Sequence, residues 1–248
     1  VNVLPPSSPA ALSRFALVSD LHLGRGRAAA GGPAADRALI AALEGLAGRV
    51  DRVLLVGDLF ELHHGLLPLA FASEARVVPR YHPALVDLLS GPRFVRLVGN
   101  HDRALARLLG HHEDLRLDAG GRRLVVLHGH QLDLLHTHVP RLEATASWAA
   151  DAIRRAGLPG AWSLALAVAS RVNGMHVPPA RAAFTRRLLN WARARGATWV
   201  AHGHDHEPLL LTRDGITLVR PGATSVRTLR YALLDVVSGQ ASLHTERL

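Results

Sequence analysis

The chain of 248 residues contains no cysteine, which excludes disulfides, zinc–thiolate sites and thiol nucleophiles together. Lysine is absent as well, and all 29 basic residues are arginine. With abundant Ala, Leu and Gly, this looks like the coding bias of a GC-rich genome, so the net charge of +9 is only partly a statement about partners. Long apolar runs are also missing. The longest uncharged stretch, Ala156 to Ser170, is interrupted by Gly157, Pro159 and Gly160 and falls short of the roughly 20 apolar residues a membrane span needs. Residues 1–13 are Pro/Ser-rich and lack a basic segment followed by a long apolar run, so they read as a loosely ordered leader and not as a secretory signal. The expectation is a cytoplasmic protein, with at most peripheral contact at the inner membrane surface.

Five short strings stand out against this background: Ser19-Asp20-Leu21-His22, Gly57-Asp58, Gly99-Asn100-His101-Asp102, His128-Gly129-His130 and His202-Gly203-His204. Each follows a short β-rich run: Phe15–Val18, Val53–Val56, Phe94–Val98, Leu124–Leu127 and Thr198–Ala201. In open α/β sheets the carboxyl ends of the strands are where sites gather, because loops converge there while the strands stay rigid. Taken singly, Asp-x-His or Gly-Asp is ordinary turn chemistry; the signal lies in the ordered set. Two carboxylates, one amide and four imidazoles can hold two divalent cations, and a shared carboxylate keeps such a pair about 3.5–4 Å apart. That inventory predicts a hydrolase of phosphate esters.

In these residues the chain resembles the calcineurin-like metallophosphoesterase family, whose signature is Asp-x-His, Gly-Asp, Gly-Asn-His-Asp, His and Gly-His-x-His. The resemblance implies that Asp20, His22, Asp58 and His204 hold one metal and that Asp58, Asn100, His128 and His202 hold the other, with Asp58 bridging. It also implies that His101 lies over the substrate with Asp102 orienting its ring, and that a metal-bridged hydroxide attacks phosphorus in line. Oxygen and nitrogen donors without sulfur suit Mn²⁺ best, with Fe or Zn²⁺ possible. His63, His64, His82, His111, His112, His136, His138, His176 and His206 match no family position; His63 and His130 lie nearest to expected ligands in sequence. Arg25 and Arg103 flank motifs and are candidates for phosphate contact.

The implied fold is a four-layered α/β/β/α sandwich with a helical cap insertion. The chain reads as one domain, 14–248, because ligands from both halves must share one cleft. Helices are expected at Ala34–Gly48, Pro83–Ser90 and Arg103–Leu109. The strands Glu207–Thr212, Ile216–Val219, Val226–Val237 and Ala241–Glu246 are expected to complete the second sheet, with Asp214-Gly215 as a hairpin turn.

From His136 to Arg195 no strand-like run appears, and this stretch reads as the cap. It holds nine arginines against Glu143 and Asp151, so +7 of the chain's +9 lies here. A helix from Leu158 to Val172 would carry an apolar surface wider than an ordinary amphipathic stripe. It would either pack on Trp148, Ile153, Phe184, Leu188 and Trp191 or receive acyl chains, with Trp162 and Arg154 as contacts. Within the family the chain is most similar to UDP-2,3-diacylglucosamine pyrophosphatases, through Ser19–Gly24, Gly57–Glu61 and His202–Pro208. It differs from them in having His101 where they have arginine and His130 where they have aspartate. The resemblance implies a phosphate-ester small molecule or lipid-linked nucleotide sugar as substrate and no obligate protein partner. Two other readings remain: a nuclease or nucleotide phosphodiesterase whose basic insert follows a phosphate backbone, and a non-catalytic binding scaffold, against which the intact ligand set argues.

Overall fold

The computed structural model describes residues 2–3, 12–25, 32–106, 110, 112–157 and 178–248. Alternation along its strands sets the layers. In β2 (Arg14–Val18), Phe15 and Leu17 point to one side and Ala16 and Val18 to the other, and all four are buried. A strand covered on both faces reads as a continuous apolar run, as do β3 (Arg52–Val56) and β4 (Phe94–Leu97). These three pair in parallel, with Phe15 beside Arg52 and Val53 beside Phe94. β10 (Thr228–Asp235) runs antiparallel to β2, and β11 (Gln240–Arg247) antiparallel to β10, so the first sheet is ordered β11-β10-β2-β3-β4. The second sheet contains β1 (Asn2–Val3), β5 (Asp114–Ala119), β6 (Arg122–Leu127), β7 (Trp199–Ala201), β9 (Ile216–Arg220) and β8 (Leu209–Arg213), in that spatial order. Its centre, β6-β7-β9, is parallel.

Three apolar cores separate four layers. Phe15, Leu17, Leu54 and Val56 of the first sheet meet Leu124, Val126, Trp199 and Val219 of the second. On the outer face of the first sheet, α1 (Gly32–Ala47) buries Leu39, Leu43 and Leu46, and α3 (Pro83–Ser90) buries Leu85 and Leu89. Their spacing of three or four residues puts each set on one helical face. On the outer face of the second sheet, α6 (Pro178–Arg193) lays down Phe184, Leu188, Leu189 and Ala192 against Val125, Leu127, Val200 and Leu218. The α/β/β/α arrangement is thus as expected from the sequence. Among the described residues no helix is long and apolar enough to cross a membrane.

Several details differ from expectation. The C-terminal strands are shared between the sheets: β8 and β9 join the second, whereas β10 and β11 join the first. After β9 the chain passes Ser19, bridged to Ala223, and crosses to the open edge of β2. β5 was not foreseen, although Asp114-Leu-Arg-Leu-Asp-Ala119 alternates as a strand should and the turn Gly120-Gly121, both at positive φ, leads into β6. α2 (Phe71–Val77) was also missed. Only a 3₁₀ turn, Arg103–Leu105, stands where a helix to Leu109 was expected, and residues 107–109 lie outside the described residues. The Asp214-Gly215 hairpin is present, with both residues at positive φ. Within the leader, Asn2–Val3 pairs with β5.

The 136–195 stretch contains two different things. α6 is a layer of the sandwich and not part of a cap. α4 (Leu134–His138) and α5 (Pro140–Arg155) instead precede that layer, and the expected helix Leu158–Val172, with Trp162, lies outside the described residues. α5 sits on the loop that follows β3. There Trp148 Nε1 and the Arg155 guanidinium both donate to Gly65 O at 3.1 Å, and His64 Nε2 lies 3.2 Å from Ser147 Oγ.

Candidate metal centre

The loops after β2, β3, β4, β6 and β7 meet at one end of the sandwich. Beyond the sheet, backbone pairing continues: Asp20 N–H donates to Gly57 O at 3.1 Å, His22 N–H to Asp58 O at 3.0 Å and Leu23 N–H to Leu59 O at 2.9 Å. This pairing holds Asp20, His22 and Asp58 at φ of 55°, 45° and 51°. Left-handed backbone in a non-glycine residue costs on the order of 1–3 kcal/mol and persists only where its surroundings impose it. Gly99 allows the approach of the next loop, because a Cβ there would overlap the Asp58 carboxylate and backbone.

Asp20, His22, Asp58 and His206 each present a ligand atom, all within 4.8 Å of one another. His22 Nε2 is 3.8 Å from Asp20 Oδ1 and 4.0 Å from Asp58 Oδ2, and His206 Nε2 is 3.2 Å from Asp20 Oδ1. The other nitrogen of His22, Nδ1, donates to Glu61 Oε2 at 3.0 Å. That fixes the tautomer and leaves Nε2 with its lone pair, buried and without a hydrogen-bond partner among the described residues. A second set adjoins the first across Asp58. His128 Nδ1 donates to Val56 O at 2.8 Å, while its Nε2 stands 3.2 Å from Asp58 Oδ2 and 3.1 Å from Asn100 Oδ1. The His204 ring lies 5.3 Å from that of His128.

Asp20 and Asp58 are almost wholly buried. Burial pushes each carboxyl pKa up, but the neighbouring imidazoles outweigh it: His206 helps bring Asp20 down to about 2, and His128 holds Asp58 well below the usual range. For His128, burial opposes the charge, yet Asp58 raises its pKa to about 9. Two buried anions a few ångströms apart, with an unpartnered imidazole nitrogen aimed between them, are a donor set suited to divalent cations.

The last motif falls two residues later than expected. The structure brings His206, not His204, to Asp20, His22 and Asp58. His204 lies beside His128 instead and gives Nε2 to Asp133 Oδ2 at 3.0 Å. His202, expected as a ligand of the second metal, continues the β7–β9 ladder through its N–H to Val219 O, 3.1 Å. Its ring packs 5.4 Å from that of Phe184, with Nδ1 lacking a hydrogen-bond partner among the described residues. Gly-His-x-His is satisfied as residues by Gly203-His204-Asp205-His206, a signal obscured by the earlier His202-Gly-His204. At φ 58°, His206 turns back toward Asp20.

Asp102 does not orient His101. Its carboxylate accepts backbone N–H groups from Leu59 at 2.7 Å and Gly99 at 2.8 Å, tying the second and third loops together. Burial and the nearby Asp58 raise its pKa to about 7. Glu61, which sequence reasoning missed as a site residue, holds His101 through Nδ1 at 2.9 Å while its other oxygen holds His22. His63 stacks on His101 with ring centroids 4.2 Å apart. His130 is buried, edge-on to His136 at 4.9 Å, and burial drives its pKa down to about 2. Arg25 is engaged elsewhere, in a two-pronged pair with Glu74 at 2.5 and 2.7 Å. Arg103 is exposed. The side chain of Arg154, like Trp162, lies outside the described residues. His82, a histidine without an expected role, clamps Gly24 O to Asp36 of α1, both at 2.9 Å.

A family model described as calcineurin-like phosphoesterase matches residues 13–208. No curated protein matches the chain in sequence. Among solved structures it is similar to a dimetal phosphatase from Danio rerio, at 13% identity over 96% of each chain and a TM-score of 0.52. It is also similar to an archaeal phosphodiesterase, at 14% identity over 94% of this chain and 99% of that one, TM-score 0.44. A third similar structure is Vps29 from Entamoeba histolytica complexed with zinc, at 14% identity over 94% and 98%, TM-score 0.44. At these identities the likeness is one of fold.

Proposed function

Because the chain belongs to the calcineurin-like phosphoesterase family, and is thus a hydrolase of phosphate esters, we propose that it works with two divalent cations. Asp20, His22, Asp58 and His206 would hold one, and Asp58, Asn100, His128 and His204 the other. The observation that carries this reading is the convergence of two buried carboxylates with His22 Nε2 and His206 Nε2. When bound, such ions supply Lewis acidity toward phosphoryl oxygens and a nucleophile at neutral pH. His101, steadied by Glu61 and His63, faces the reaction from the substrate side and stabilises phosphoryl charge or protonates the departing oxygen. Mixed oxygen and imidazole donors favour Mn²⁺, with Fe and Zn²⁺ as alternatives.

The proposed substrate is a nucleotide-linked acylated sugar, cleaved at its pyrophosphate bond on the cytoplasmic side of a membrane. Support comes from the loop after β3, which leads from Asp58, Glu61 and His63 to the exposed Leu66 and Leu67 and carries α5. Apolar ground thus adjoins the phosphate-handling groups. The test compares nitrophenyl phosphomonoesters and diesters, UDP-sugars, acylated UDP-sugars and oligonucleotides with added Mn²⁺. The expected result is chelator-sensitive turnover that is fastest on the acylated UDP-sugar. Equal rates with and without acyl chains would overturn the lipid reading, and preference for oligonucleotides would replace it with a nuclease.

A further inference from the structure

His204 has little freedom in its backbone. The N–H groups of Gly203 and His204 both donate to His128 O, at 3.0 and 3.1 Å, so what remains to be set is the ring. Its Nε2 lies 3.0 Å from Asp133 Oδ2. An ionised carboxylate only accepts, so Nε2 carries the proton and the lone pair is left on Nδ1. Asp133 is mostly buried, follows His128 by five residues across the 3₁₀ turn His130–Leu132, and immediately precedes α4. Its backbone O accepts both the Thr137 N–H and the Thr137 hydroxyl, each at 2.9 Å, so the first turn of α4 is fastened to the same residue. Among the described residues Asp133 belongs to neither group of converging ligand atoms. It therefore stands behind His204 and not beside the first ion.

We propose that Asp133 is a positioning residue, which holds His204 in the Nδ1-ligating tautomer and thereby sets the affinity of the second divalent ion alone. The inference rests on the two-ion reading given above. A carboxylate behind a ligating imidazole orients the ring and raises its basicity, and removing such a partner typically weakens metal binding about 10–100-fold. Because Asp133 also begins α4, the chain segment that leads into the insert is anchored one hydrogen bond away from an ion ligand. Arrival of the second ion would steady that anchor.

The experiment is metal titration of the full chain and of Asp133→Ala and Asp133→Asn, using Mn²⁺ against a competing chelator, with bound ions counted by elemental analysis. Electron paramagnetic resonance would report whether two Mn²⁺ ions are coupled. The wild type should take two ions. Asp133→Ala should keep one at near wild-type affinity, bind the other about 10–100-fold more weakly, and lose the coupled signal at sub-saturating Mn²⁺. Asp133→Asn should fall between them, since its amide oxygen still accepts the N–H but without charge. Unchanged binding of both ions would overturn the proposal, as would equal weakening of both, which would mark a general loosening. If Asp133→Ala does not fold, the Asn variant decides by the same criterion of one affected ion. A wild type that binds fewer than two ions would overturn the two-ion reading, and this proposal with it.

Discussion

The two halves of the proposed metal centre are built differently. Around Asp20, His22 and His206, every residue sits in left-handed backbone, imposed by hydrogen bonds between neighbouring loops. Around Asn100, His128 and His204, the backbone is relaxed and the side chains are aimed instead: His128 by Val56 O, and His204 by Asp133. The first half stores its geometry in the main chain, the second in side-chain partners. It follows that point substitutions of supporting residues should reach the second half more easily than the first, while Asp58, common to both, is the single position where the distinction vanishes.

Asp58→Ala should therefore have the largest effect. Both ions should be lost and phosphodiesterase activity should fall to background, as checked by elemental analysis and a chromogenic diester. Near-normal activity in that variant would remove the site from consideration. His206→Ala and His202→Ala form the next contrast. The first should lose one ion and about 10²–10⁴-fold in rate, as the several kcal/mol supplied by a metal imply, whereas the second should retain both ions. The reverse outcome would restore the earlier register of the motif. His101→Ala should keep both ions and slow turnover about 10²–10⁴-fold; proportional loss of metal would show that His101 is a ligand.

The smallest effect concerns the metal-free protein and pH. His130, His202 and His204 have pKa values lowered mainly by burial, so the stability they confer is present above the unfolded value near 6.5 and is lost as pH falls below it. His130, lowered to about 2, contributes a slope approaching about 1.4 kcal/mol per pH unit. His128 works in the other direction: raised from 6.5 to about 9, it confers stability that is complete below 6.5 and lost as pH rises through 9. Melting temperature in chelator should peak near neutrality and fall on both sides. Adding Mn²⁺ should flatten the alkaline limb, because the ion displaces the proton on His128. An alkaline limb indifferent to metal would separate His128 from the ion site.

Much of this was legible in the sequence, for identifiable reasons. Strands buried on both faces, such as Leu54–Val56 and Val125–Leu127, announce themselves as apolar runs. Asp20, His22, Asp58, Asn100 and His128 each lie in the loop that follows such a run. The residues whose proposed roles differ from the sequence expectation are those that depend on geometry that residue type does not encode. His202, His204 and His206 are chemically identical; the end of the β7–β9 ladder and the positive φ of His206 bring His206 to Asp20, His22 and Asp58. Glu61 was visible but indistinguishable from any surface acid until two imidazoles were found on its two oxygens. The sheet allocation of β10 failed for a similar reason, because sequence order says nothing about which free edge lies within reach.

That allocation bears on how the protein comes into being. β2 is flanked by β3 on one side and by β10 on the other, with Val18 paired to Tyr231, residues far apart in sequence. Contacts this distant in sequence are formed late and slow folding. During synthesis, the strand that delivers Asp20 has an unpaired edge until β10 has emerged from the ribosome. An exposed apolar edge of that kind invites pairing with other chains, so the nascent protein is open to misassociation on the very strand that leads to Asp20, a proposed ion ligand.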